Sequence, residues 1–318
     1  MSNIESLVTV CVLTYNSAEY VLETLESIKN QTYSRIRLII TDDCSSDPTV
    51  DICTSWVNEN KARFESVEIV TVPQNTGVSA NCNRGARAAE GRWFKLIAGD
   101  DILCTDAIET LVTKAESLEY DKYFIGSFVQ PFCGDENLPR ELKREQELAA
   151  FGTIQDSSRQ LELLRIKNCL LAPTVLLPVD VFKRMTFDEK YTFAEDYPMF
   201  LNMLASGYRY ININRPLVRY RIHSSSISNE GKSEKLFTAY YKRKRVLEED
   251  LQIPYVGLAV RSKLQSDYYV RHIFDRLGLN RKNMLCQVLF SICLRINPFF
   301  EIGNRVYKNK LKKYQQTI

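Results

Sequence analysis

In this chain of 318 residues, Asp42-Asp43, Asp100-Asp101 and Glu195-Asp196 are adjacent acidic pairs placed at the ends of expected strands or the start of an expected helix. The first two pairs each close an apolar run of strand length. Carboxylates gathered at neighbouring strand ends repel one another unless a cation collects there. The usual cation is divalent, with a phosphate-bearing ligand bridging to it. A carboxylate at a helix start, as at Glu195-Asp196, can instead be aimed to take a proton from a hydroxyl. Each pair also has a plainer use. Asp-Asp after a strand caps a helix or shapes a turn, and Glu195-Asp196 caps the helix carrying Phe200, Leu201 and Leu204.

The elements that must position these residues are legible in the first third. Val8 to Thr14 is a β-branched run, and Val21, Leu22, Leu25 and Ile28 fall at helical spacing within 18–29. Strands are expected at 35–41, 66–72 and 93–98, with a helix opened by Pro48 and another over 78–89. Strands alternating with helices give βαβ units and a mainly parallel sheet. Ligands of such sheets sit beyond the carboxyl ends of the strands, where Tyr15-Asn16, Asp42-Asp43 and Asp100-Asp101 lie. Further on, 134–146 is charged and reads as a surface loop. A helix is expected near 196–205 and two strands at 208–213 and 217–222, and the chain is helical and basic from residue 234.

Seven short motifs run in a fixed order: Thr14-Tyr15-Asn16, Asp42 to Asp47, Asn75-Thr76-Gly77-Val78-Ser79, Ala98-Gly99-Asp100-Asp101, Phe187-Asp188-Glu189, Glu195-Asp196 and Tyr220-Arg221-Ile222-His223-Ser224. Over residues 6–228 this ensemble resembles the family 2 glycosyltransferases, inverting enzymes of the GT-A fold. The resemblance implies an α/β catalytic domain over 1–230, with donor binding roughly in 1–105 and the acceptor side in 106–230, followed by a basic helical region over 231–318. It implies a nucleotide-sugar donor held by Thr14, Tyr15, Asn16, Asp43, Gly77, Asn83, Asp100 and Glu195. Tyr15 would lie against the base, and Asp43 would accept the base N–H, which favours uracil. Asp100, Asp101 and His223 would hold a manganese or magnesium ion on the diphosphate, and Asp196 would be the general base. The acceptor implied is a glycan or a lipid-diphosphate-linked sugar, as in assembly of bacterial surface polysaccharides such as O-antigen or capsule.

Two departures from the family pattern are visible. Ala98 replaces the first acid of the common Asp-x-Asp-Asp, which leaves the division of labour between Asp100 and Asp101 open. Cys82-Asn83 stands where Arg-Asn is common, so one phosphate- or base-side contact is missing or comes from Arg84.

Composition narrows the remaining choices. An apolar share of 45% with 25% charged residues is that of a folded globular protein. Nine scattered cysteines, none in C-x-x-C spacing, with two histidines, argue against a zinc framework and for reduced thiols. No leader pattern is read at Met-Ser-Asn-Ile-Glu, so a cytoplasmic enzyme is expected, at the inner face of the membrane if the tail binds lipid. The loop after Leu13 has no glycine, which excludes a dinucleotide fingerprint and the basic glycine-rich loop of a nucleotidyltransferase. No P-loop occurs. From residue 271 onward ten Lys/Arg face two Asp/Glu, a net of +8, which leaves −5 for the first 270 residues of a chain at +3 overall. That basic tail suits an anionic surface or is simply solvated on a helix packed against the catalytic domain. It carries no nucleic-acid recognition motif. The rival from another class is a non-catalytic subunit that keeps the fold for assembly, and the presence of Asp43, Asp100, Asp101, Asp196 and His223 argues against such decay.

Overall fold

β-Branched and aliphatic residues fill the first strand, and all seven of its residues are buried. A strand covered on both faces has no reason to alternate polar and apolar side chains. The computed structural model describes residues 6–119, 121–223 and 235–316. They fall into two compact units, 1–157 with 169–221, and 158–168 with 222–318.

The first unit begins β1 (Val8–Thr14), α1 (Val21–Lys29), β2 (Ile36–Asp42), α2 (Thr49–Asn60), β3 (Ser66–Thr71), α3 (Val78–Arg87) and β4 (Trp93–Ala98). These four strands are parallel, in the order β3-β2-β1-β4. The chain continues through β5 (Ile102–Leu103), α4 (Ala107–Glu116), β6 (Tyr123–Cys133), β7 (Glu136–Asn137) and α5 (Leu142–Gly152). The helix α6 (Ser157–Ile166) belongs to the second unit but for its first residue, and β8 (Leu176–Pro178), α7 (Asp196–Ala205) and β9 (Arg209–Arg221) complete the first. The sheet extends β4-β8-β6-β9-β5, with β7 on β6. Its antiparallel members β5, β7 and β8 are two or three residues long, so most of the pairing is parallel.

The expected strands 208–213 and 217–222 are one strand. The ladder between β6 and β9 slips where Phe128 faces Pro216. Proline lacks the N–H for a regular ladder, so an irregularity at that point lets β9 continue. Within 134–146, expected as loop, α5 begins at Leu142. Its buried face is Glu147, Leu148 and Phe151, beyond the charged stretch that dominated the reading.

One face of the sheet packs Val10, Ile40, Trp93 and Ile125 against α1, α2 and α4 through Leu25, Trp56, Ile108 and Leu111. On the other, Phe124 stacks on Phe200 of α7 at 5.6 Å and meets Tyr210 edge-on. Helix α3 lies so close to β1 that a Cβ on Gly85 would stand 2.2 Å from the Cys11 sulfur.

The second unit holds α6 with α8 (Tyr240–Leu247), α9 (Leu258–Arg276), α10 (Met284–Ile296) and α11 (Phe299–Gln315). Phe237, Tyr241 and Phe274 form its small core, and α11 crosses α9 at Gly303, where a Cβ would lie 3.0 Å from the Ala259 carbonyl oxygen. Glu162 of α6 accepts hydrogen bonds from Lys310 and Tyr314 of α11. The expected boundary near residue 230 lies outside the described residues; the division of the described chain falls after Arg221.

Gly85→Ala is expected to lower unfolding free energy by about 1–3 kcal/mol, the cost of forcing a methyl into a filled core. Urea denaturation measures this, and an unchanged midpoint would contradict the close helix–strand approach.

Candidate active site

The parallel strands deliver their loops to one edge of the sheet. After β1, Thr14 is buried and its hydroxyl donates to Asp42 at 2.8 Å, while Tyr15 is 52% exposed. Asn16 turns the chain with φ +50°, which asparagine tolerates. Its side-chain oxygen accepts the Ser46 N–H at 2.8 Å, tying the first loop to the second.

Asp43 is buried and already engaged. Its carboxylate accepts the N–H groups of Thr76 and Gly77, the Thr76 hydroxyl and the Arg84 guanidinium, the last at 2.5 Å. Burial pushes its carboxyl up, but those hydrogen bonds outweigh it and hold the group below its ordinary value. The expected contact from Asp43 to a base N–H therefore competes with a filled network; the observed partner is Arg84. Gly77, at φ +89°, admits this turn, and a Cβ there would lie 3.0 Å from Thr192.

Asn83, expected to touch the donor, is 3% exposed and spends its amide on the chain further on. It donates to the Phe187 carbonyl and Glu189 and accepts the Phe187 N–H at 2.8 Å. With Ser79 donating to the Tyr191 carbonyl and the Val78 N–H to that of Thr192, helix α3 becomes a shelf for residues 187–192. That shelf leads the chain into Glu195 and Asp196 at the start of α7.

Asp100 and Asp101 diverge. Asp100 is partly exposed, whereas Asp101 is 2% exposed and its carboxylate accepts the Arg221 N–H at 2.9 Å. Burial and the neighbouring Asp100 push the Asp101 carboxyl well up, against the pull of that N–H, Lys95 and Arg221. The Arg221 side chain donates to the Asp100 carbonyl and to Glu23, and its guanidinium lies over the Tyr20 and Phe132 rings. Asp101 is thus turned inward, toward the end of β9. His223 belongs to the second unit, and among the described residues no three His, Cys, Asp or Glu side chains gather as a metal group. Of the two aspartates, Asp100 is the one that keeps some surface.

Glu195 and Asp196 are half-buried. Burial and the Asp196 charge push Glu195 up to about 8. Burial raises Asp196 too, while the N–H groups of Tyr197 and Ala172 and the charge of Arg144 restrain it. Two adjacent carboxyls, both raised by burial, form a pair in which the charge of one opposes ionisation of the other.

Lys95 and Arg144 contribute to the site although no motif contains them. Lys95 is fully buried on β4, and burial lowers it to about 7 against the pull of Asp101. Its ammonium donates to the Leu96 and Pro173 carbonyls. Pro173 adjoins Ala172, whose N–H serves Asp196, so the lysine pins the turn that contacts the acid. The available signal was a lone lysine inside the apolar run Trp93 to Ala98.

Residues 9–171 match the sequence family described as glycosyl transferase family 2, about half of the chain. The chain belongs to that family and is a glycosyltransferase. It is 26% identical over 229 residues to an Escherichia coli UDP-Glc:α-D-GlcNAc-diphosphoundecaprenol β-1,3-glucosyltransferase, WfaP, covering 70% of this chain and 80% of that one. In fold it is similar to Staphylococcus aureus TarS 1–349 in complex with UDP-GlcNAc, with TM-score 0.57, 15% identity and coverage of 98% and 91%. It is likewise similar to a Pyrobaculum calidifontis mannosyltransferase in complex with GDP-Man and Mn2+, with TM-score 0.54, 17% identity and coverage of 98% and 74%. The architecture is GT-A with C-terminal helices.

The raised Glu195 carboxyl gives a stability prediction. Between about 4.5 and about 8 the unfolded chain releases this proton while the folded chain keeps it, so its contribution is lost as pH rises through that window. Glu195→Gln should therefore gain stability relative to the parent as pH increases from 5 to about 8.5, read as the difference in melting temperature. A constant difference would show that Glu195 titrates normally.

Proposed function

We propose that this enzyme moves a sugar from a UDP-linked donor onto a hydroxyl of a lipid-diphosphate-linked glycan, in the building of a surface polysaccharide. The observation that carries the catalytic part is Asp196. It sits at the first turn of α7, held by the Ala172 and Tyr197 N–H groups, and the segment leading to it is bonded to the helix that follows the donor loops. The acceptor hydroxyl attacks the anomeric carbon and gives its proton to the Asp196 carboxylate. The bond from that carbon to the phosphate oxygen breaks as the new one forms, UDP leaves with the electron pair, and the configuration inverts. Glu195 lies beside the base, and burial together with the Asp196 charge raises its carboxyl.

Tyr15 offers its exposed ring to the base, and the Asp43–Arg84 network forms the wall behind. Asp100 is the carboxylate that would hold manganese or magnesium. Such an ion, when bound, offsets charge on the departing diphosphate. The manganese complex of a protein of the same fold supports that part of the reading, and the lipid-linked substrate named for the E. coli relative supports the acceptor. Such an acceptor lies at the cytoplasmic face of the membrane.

Asp196→Asn keeps the shape and the N-terminal oxygen but cannot take the proton. Turnover should fall by about 100-fold or more with donor affinity near that of the parent, the pattern of a group needed in the transition state. Steady-state kinetics with UDP-glucose and UDP-GlcNAc, alongside UDP binding, measures both. Turnover retained with a lowered melting temperature would leave Asp196 as a helix cap only.

A further inference from the structure

Helix α10 is amphipathic in an unusual sense, because its two apolar faces do different things. Its inner face, with Phe290 and Cys293 beside buried Cys286, packs on the Phe237–Phe274 core, and Asn283 caps its first turn by accepting the Cys286 N–H at 2.9 Å. Its outer face carries Met284, Leu285, Val288, Leu289, Ile292 and Ile296, all exposed, with Leu285 at 69% and Ile292 at 51%. Leu285, Leu289, Ile292 and Ile296 follow one another at helical spacing, so they form one stripe.

We infer that this stripe enters the interface of an anionic lipid bilayer, with α10 lying along the surface. Arg281 and Lys282, just before α10, and Arg295 within it are exposed, as is Arg276 at the end of α9, while Glu301 is the one acidic residue of α11. Apolar side chains bordered by cations match acyl chains beneath anionic headgroups. A second copy of the chain is a poor occupant, because each copy would bring the net +8 of residues 271–318 against its twin. A nucleic acid would meet the cations but leave six aliphatic side chains in water. No single helix among the described residues is long and apolar enough to cross a membrane. By length and composition α10 and α11 pass for a membrane span only together, as a pair bent by 75°. This surface deepens the reading of a lipid-linked acceptor, but its test does not depend on catalysis.

Full-length protein is sedimented with vesicles of phosphatidylcholine alone and of phosphatidylcholine with phosphatidylglycerol, at low and raised salt. The parent should pellet with the anionic vesicles, far less with the neutral ones, and be released by salt. Leu285→Gln, Leu289→Gln and Ile292→Gln combined should weaken binding by at least about tenfold. Arg281→Glu with Lys282→Glu should weaken it by about fivefold for each cation lost. Because these positions are exposed, thermal unfolding by circular dichroism should match the parent. Transfer to a short soluble acceptor is assayed in parallel. Retained transfer with lost vesicle binding separates the surface from the chemistry, while a parent that binds vesicles but transfers nothing would refute the proposed reaction and leave this inference standing. Equal partitioning onto both vesicle types, or a triple variant that binds as the parent does, overturns it. So does a parent dimer that the triple variant splits into monomers, which would make a second copy the occupant.

Discussion

A buried carboxylate meeting a strand's N–H holds the candidate active site together. Asp101 accepts the Arg221 N–H, and the Arg221 side chain reaches back to the Asp100 carbonyl. The turn after β4 and the end of β9, more than a hundred residues apart in sequence, are thereby made one object. A buried carboxylate is costly unless it is hydrogen-bonded, so this turn has one satisfied arrangement, and in it Asp100 is left partly exposed at the strand ends. Thr24 of α1 donates to the Asp101 carbonyl at 2.8 Å and closes the turn from below.

The other wall depends on helix α3. Val78, Ser79 and Asn83 hold residues 187–192, and Arg84 holds Asp43, so the loops after β1 and β2 and the approach to Glu195-Asp196 share one support. Lys95 acts from inside the sheet, through the Pro173 carbonyl, on the turn whose Ala172 N–H meets Asp196. Glu195 and Asp196 are thus framed by backbone groups that α3 and Lys95 hold. The site's electrostatics follow from burial more than from ion pairing, which is why Glu195 and Asp196 rise while Asp43, ringed by donors, falls.

Much of this was legible in the sequence, and the failures have physical causes. Strands β1 to β4 and the start of α7 at Asp196 were readable because β-branched runs and helical spacing are local signals. Asp42-Asp43 and Asp100-Asp101 were marked as important, yet two identical letters in a row do not say which side chain turns inward. That depends on Arg221 arriving from β9. Asn83 looked like a ligand contact because it sits in a motif; its amide is consumed by a loop a hundred residues away. Lys95 was passed over because its partner is a backbone carbonyl, which no pattern of side chains reveals. Helix α6 joins α11 through Glu162, which accepts from Lys310 and Tyr314, a pairing across 148 and 152 residues that no local pattern reveals.

The central claim is that neighbouring aspartates do opposite work: Asp101 holds the turn and Asp100 faces the donor. The most direct test measures melting temperature together with manganese-dependent UDP binding by calorimetry for Asp100→Ala and Asp101→Ala. The account predicts that Asp101→Ala loses about 2 kcal/mol of stability, as expected when a buried N–H is left without its acceptor. Asp100→Ala should melt as the parent does while losing the manganese-dependent part of UDP affinity. Normal stability for Asp101→Ala, or full manganese-dependent binding for Asp100→Ala, would contradict it.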